Sequence, residues 1–132
     1  MQRHIRRLLA ARILLVKLIA MGYTVAITYI FLMPPSGAKA PFAHADKLVH
    51  ILIFILFVVL WAMVIQDSKK PIDLTKTILI LCAALIYGII IEALQGLYIV
   101  GRQPDVLDVI ANVTGSIIGL LCFRLLQNRI LK

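Results

Sequence analysis

Residues Thr77–Val100 read TILILCAALIYGIIIEALQGLYIV, with Glu92 as the single charged side chain. A helix rises about 1.5 Å per residue and a bilayer core is about 30 Å thick, so about 20 such residues span it. Three further runs do so or nearly so: Ile13–Met33, Leu48–Ile65 and Val106–Leu126. The second run is slightly short and the third slightly long, which tilt and anchoring absorb. Breakers separate them: Pro34-Pro35-Ser36-Gly37, Asp67-Ser68-Lys69-Lys70-Pro71, and Gly101 with Pro104. Asp73 is placed to cap the third helix, expected over about 74–100. The expected fold is all-α, a polytopic transmembrane four-helix bundle in one domain, 1–132.

Composition agrees. The chain has 132 residues and is 62% hydrophobic, against about 45–50% in soluble domains. A soluble fold of this size has too few polar groups here to cover its surface, whereas lipid accepts an apolar exterior. Cys82 and Cys122 sit inside apolar runs without ligand spacing and read as small packing residues. The net charge of +8 collects at the ends of apolar runs, which is membrane topology rather than a nucleic-acid surface.

Lys and Arg counts orient the chain. With the N-terminus inside, the cytoplasmic set is Arg3, Arg6, Arg7, Arg12, Lys17, Lys69, Lys70, Lys76, Arg124, Arg129 and Lys132, leaving only Lys39, Lys47 and Arg102 outside. Both termini are therefore expected in the cytoplasm, and the chain in the cytoplasmic (inner) membrane. Ala38-Lys39-Ala40 imitates a signal-peptide cleavage site, but the apolar run is long and Pro41 would follow the scissile bond. The first segment reads as a permanent helix.

Ionisable groups in lipid are expensive, so their positions carry the functional information. His50 lies about one turn into the second helix, with Asp46 four residues before it. Glu92 is about 21 Å along the third span, leaving about 9 Å to the outer edge. Asn112 reaches a similar depth on the descending fourth helix. Three helices thus contribute polar side chains to one layer beneath the outer surface. On the third helix Gly88, Glu92, Gln95, Ile99 and Arg102 share a face, and on the fourth so do Asp105, Asp108, Asn112, Gly115, Gly119 and Cys122. Gly88, Gly115 and Gly119 are expected to permit close helix packing, within the bundle or, as a second reading, in a homodimer. Phe54, Phe57 and Trp61 continue the His50 face as packing residues, Trp61 as an inner-interface anchor.

Arg102 lies near the acidic pair Asp105 and Asp108. It reads either as their loop salt bridge or as the ligand of an anionic headgroup, with Lys47 nearby and the fourth helix's first amides helping.

Asp46-Lys47-Leu48-Val49-His50, Glu92-Ala93-Leu94-Gln95, Gly101-Arg102 and Asp108-Val109-Ile110-Ala111-Asn112-Val113-Thr114-Gly115 together resemble the VanZ-like family, over about Ala45–Gly119. The four-helix layout agrees. That family comprises small membrane proteins, named for one associated with low-level resistance to the glycopeptide teicoplanin. The resemblance implies an envelope-related role and brings no reaction with it. Compared with larger relatives this chain has short outer loops and no appended soluble domain, which makes any part in resistance indirect.

The polar layer supports several readings. One is a binding pocket of Asp46, Lys47, His50, Glu92, Gln95, Arg102, Asp105, Asp108 and Asn112 for a membrane lipid or lipid-linked cell-wall precursor. Another is a hydrolase or transferase using His50 and Glu92 on such a lipid. A metal site from His50, Glu92, Asp46 and Asp108 has only one histidine with scattered carboxylates, so no metal and no cofactor is expected. A fourth reading is a network that only fixes helix register.

Overall fold

A computed structural model describes residues 2–34, 42–66 and 71–130, with side chains described for 10–34, 42–66 and 71–127. Four helices follow in order: α1 (Gln2–Leu32), α2 (Ala45–Ile65), α3 (Leu74–Tyr98) and α4 (Val106–Ile130). All four are long and apolar enough to cross a membrane. Among the described residues there is no strand. The chain is an all-α, multi-pass membrane bundle.

Helix bounds differ from the apolar runs where polar helix formers extend them. α1 begins at Gln2, eleven residues before Ile13, because its Arg- and Leu-rich start continues the helix. α2 begins at Ala45, so Asp46 and Lys47 lie in its first turn rather than before it. Asp73 caps α3 as expected, its Oδ1 accepting the Lys76 N–H at 2.8 Å. Gly101 takes φ +83° between α3 and α4, a conformation that a side chain would strain. The Ala38-Lys39-Ala40 sequence, Pro35-Ser36-Gly37 and Asp67–Lys70 lie outside the described residues.

The exterior carries the large apolar side chains, among them Leu18, Val25, Leu56, Ile86, Ile110 and Leu125. The interior holds Ile27, Phe54, Phe57, Val58, Ile80, Ile91, Leu120 and Phe123. An apolar surface on all sides suits lipid, where burial inside the protein brings no hydrophobic gain over burial in acyl chains. What holds such helices together is close contact and polar pairing.

Close contact is concentrated between α2 and α4, the most extensive helix pair. They run in the same direction, and Gly115 and Gly119 face the α2 backbone at Ile51 and Ile55. A Cβ on Gly119 would stand 2.6 Å from the Ile55 carbonyl oxygen, and one on Gly115 would strike that of Ile51. The glycine stripe is therefore spent inside the bundle and is not free to form a dimer face.

Polar pairing ties α1 to its neighbours. Tyr23 donates to the Ile53 carbonyl at 2.9 Å, and the Thr28 and Tyr87 hydroxyls lie 2.8 Å apart. Trp61 donates its indole N–H to Thr24 at 3.2 Å. Trp61, expected as an interface anchor, also closes the α1–α2 seam. Cys82 and Cys122 are free and exposed on the bundle exterior, not packed within it.

Candidate functional site

α2 and α4 begin at the same end of the bundle, where α3 finishes, and this parallel arrangement assembles the polar layer. Four side chains meet there, all nearly inaccessible: His50 (2% exposed), Glu92 (4%), Asp108 (4%) and Asn112 (1%). His50 Nδ1 is 2.9 Å from Asn112 Oδ1. As oriented, the Asn112 amide oxygen accepts from Nδ1, and Nε2 lies outside that hydrogen bond. Nε2 faces Asp108 Oδ2 at 3.8 Å, and Glu92 Oε1 is 4.0 Å from Nδ1. Glu92 Oε2 accepts the Asp105 backbone N–H at 3.3 Å, while Oε1 has no hydrogen-bond partner. The Phe31 ring covers the imidazole, with centroids 4.7 Å apart. The convergence expected of His50, Glu92 and Asn112 is thus present, and Asp108 joins it.

Lys47 is the cation of the acidic residues. Its ammonium pairs with Asp46 at 2.9 Å, with Asp108 Oδ1 at 2.7 Å and with Asp105. The expected loop pairing of Arg102 with Asp105 and Asp108 does not form, because Lys47, one turn before His50, reaches them first across the α2–α4 seam. Asp105 also caps α4, accepting the Leu107 N–H at 2.8 Å. The Lys47 hydrogen bond, aided by that N–H, holds the Asp105 carboxyl below the usual aspartate range. Two participants expected for an anionic ligand are therefore already engaged: Lys47 by its three carboxylates, and the first α4 turn by Asp105. Arg102 is half-buried and forms no ion pair among the described residues.

The remaining expected residues lie at the edges. Asp46 is half-exposed and turned to Lys47. Gln95 is fully buried, but its Nε2 donates to the Phe31 carbonyl at 2.8 Å, satisfying one of the carbonyls left free at the end of α1. Its other atom, Oε1, is unpartnered. Gly88 is where Asn112 comes in, since a Cβ there would stand 3.0 Å from Asn112 Nδ2. Cys122 falls outside the buried face, and Phe123 takes its place. Residues not singled out from the sequence include Phe31 and Ser116, whose hydroxyl donates to the Asn112 carbonyl at 2.8 Å. Phe31 has no sequence signal, because it meets His50 only through tertiary packing. Thr24 and Thr28 did carry one, a polar pair four residues apart within an apolar run.

The fold and site define a polytopic four-helix membrane protein with a buried imidazole–carboxylate–amide cluster at one end. The family model described as VanZ/LLP1 matches residues 9–127, and the chain belongs to that family. No significant match was found among curated proteins or among solved structures.

Proposed function

We propose that this VanZ-family protein binds the headgroup of an envelope lipid or lipid-linked cell-wall precursor. In this reading the polar end of the bundle faces the outer leaflet of the cytoplasmic membrane, with both termini in the cytoplasm. The observation that carries it is Arg102, a half-buried guanidinium in the α3–α4 connection, at the end of the bundle that holds the buried cluster, without an ion pair among the described residues. A guanidinium so placed offers a two-pronged contact to a phosphate. His50, Glu92, Gln95 and Asn112, with Asp108 beside them, orient the polar part of the ligand, and Asp46, Lys47 and Asp105 form the rim. An influence on glycopeptide susceptibility would follow indirectly, through the envelope lipid.

Native mass spectrometry of the purified protein tests this. Wild type should carry a co-purified phospholipid or isoprenoid-linked lipid that Arg102→Ala loses at normal yield. A lipid-free wild type, or equal retention by the variant, would reject the reading.

One observation favours a second reading, a hydrolase or transferase acting on such a lipid. Asn112 holds the imidazole through Nδ1 and leaves Nε2 facing Asp108 Oδ2, an imidazole–carboxylate pair of the kind that serves proton transfer. Glu92→Gln would then be folded and lipid-loaded but without turnover.

A further inference from the structure

We infer that His50, Glu92 and Asp108 form a site for one divalent transition-metal ion of the Zn2+ or Mn2+ type. One donor atom from each residue lies within 4.8 Å of the other two, and all three residues are buried. They come from three different helices, so the site exists only in the assembled bundle. The inference is independent of whether a lipid binds.

Each of the three residues has one atom already held and the other free. His50 spends Nδ1 on Asn112, leaving Nε2. Asp108 spends Oδ1 on the Lys47 ammonium, leaving Oδ2 facing that Nε2. Glu92 spends Oε2 on the Asp105 N–H, leaving Oε1 with no partner and a side chain only 5% exposed. Outer partners that fix a histidine's tautomer and tether its neighbouring carboxylates are the usual surroundings of metal ligands. An unpartnered carboxylate oxygen in a bundle surrounded by lipid needs a cation or a proton.

Charge points the same way. Glu92 and Asp108 are the two buried carboxylates of the cluster, and of the Lys and Arg side chains among the described residues only Lys47, shared with Asp46 and Asp105, pairs with either of them. That leaves the pair short of positive charge, which a bound cation supplies. One imidazole with two carboxylates suits zinc or manganese, whereas magnesium and calcium prefer oxygen alone. With bonds of about 2.1 Å, two donors on a tetrahedral centre stand about 3.4 Å apart. The 3.8 Å between Nε2 and Oδ2 closes to that by a slight shift, and Glu92 Oε1 swings from the Nδ1 edge toward Nε2. A fourth position is left for water or a ligand group. Asp46, weighed as a ligand from the sequence, is excluded by its exposure and its pairing with Lys47.

The test uses tag-free full-length protein in detergent, stripped with EDTA and titrated with zinc chloride. Elemental analysis after desalting should find one zinc per chain, and the melting temperature should rise. At free zinc 100-fold above Kd the folding equilibrium shifts about 100-fold. His50→Ala and Glu92→Gln should bind none and melt alike in zinc and in EDTA. If those variants fail to fold, cobalt titrated into wild type supplies the readout, as a visible ligand-field band displaced by zinc. Arg102→Ala should keep its zinc even where it loses its lipid, which separates this inference from the lipid reading. A wild type that neither retains zinc nor melts higher with it overturns the inference, as does His50→Ala retaining zinc or a cobalt sample without the band. Melting that responds to pH but not to zinc would do the same, leaving a proton where the metal is placed.

Discussion

At the end where α3 begins, Gln127 accepts the Ile72 N–H at 3.2 Å, Arg124 donates to Thr77 at 2.7 Å and Asp73 caps its own helix. At the opposite end His50, Glu92, Asp108 and Asn112 meet with two carboxylate oxygens and an imidazole nitrogen aimed inward. Both ends bury polar side chains, but to different effect. The first set closes helix termini and binds helix to helix; its charged members, Asp73 and Arg124, are both hydrogen-bonded, and its one orphaned atom, Gln127 Nε2, is on a neutral amide. The second holds like charges near one another and leaves Glu92 Oε1 with nothing to accept. Structural glue has no need of an unsatisfied ionisable group, which weakens a bundle rather than holding it. The contrast separates polar groups that serve the fold from those that the fold carries at a cost.

The seam supporting the second set gives the largest expected effect. Gly115→Leu would drive a side chain into the Ile51 backbone and part α2 from α4. A loss of about 3 kcal/mol is expected from overpacking where no side chain can yield, read by detergent or thermal unfolding. Retained stability would mean that the α2–α4 contact is looser than described and that the cluster it assembles is looser too.

Next come paired substitutions, one at each end. Gln127→Leu strands the Ile72 N–H and should cost about 1–3 kcal/mol. Glu92→Gln, isosteric and uncharged, should leave metal-free protein as stable as wild type or more so, because it removes a buried charge with an orphaned oxygen. Equal losses at both ends would erase the distinction and make the Glu92 cluster glue.

The apolar runs, the Asp73 cap and the shared depth of His50, Glu92 and Asn112 were legible because each depends on spacing along one helix. The choice between Lys47 and Arg102 as partner of Asp105 and Asp108 was not. It depends on how α2 is rotated against α4, 58 residues away from Lys47 in the chain in the case of Asp105. Cys122 shows a second limit. A stripe counted at alternating threes and fours follows a 3.5-residue period, while a straight helix turns at about 3.6, a drift of about 20° per heptad. Two heptads beyond Asp108 the buried position has passed from Cys122 to Phe123. Gln95 was placed at the right depth but turns to Phe31, because the end of α1 presents a free carbonyl there.

The smallest expected effect is at the rim, where Asp105 links the site to the α3–α4 connection. Lys47 and the Leu107 N–H depress its carboxyl in the folded protein. A depressed carboxyl contributes stability that is fully present above its unfolded value of about 3.9 and is lost as pH falls through the lower folded value. Acidification below about pH 4 should therefore loosen the start of α4 before the rest of the bundle, visible as faster amide exchange at Leu107 and Asp108. Asp105→Asn keeps a capping oxygen but removes the charge that Lys47 meets, so that pH response should flatten and the melting temperature at neutral pH should fall slightly, toward the value wild type shows in acid. A response of undiminished size in Asp105→Asn would trace it to Asp46 or Asp108 instead. The rim would then be part of the buried cluster, and the line between the carboxylates that bind Lys47 at the surface and those that face His50 would have to be redrawn.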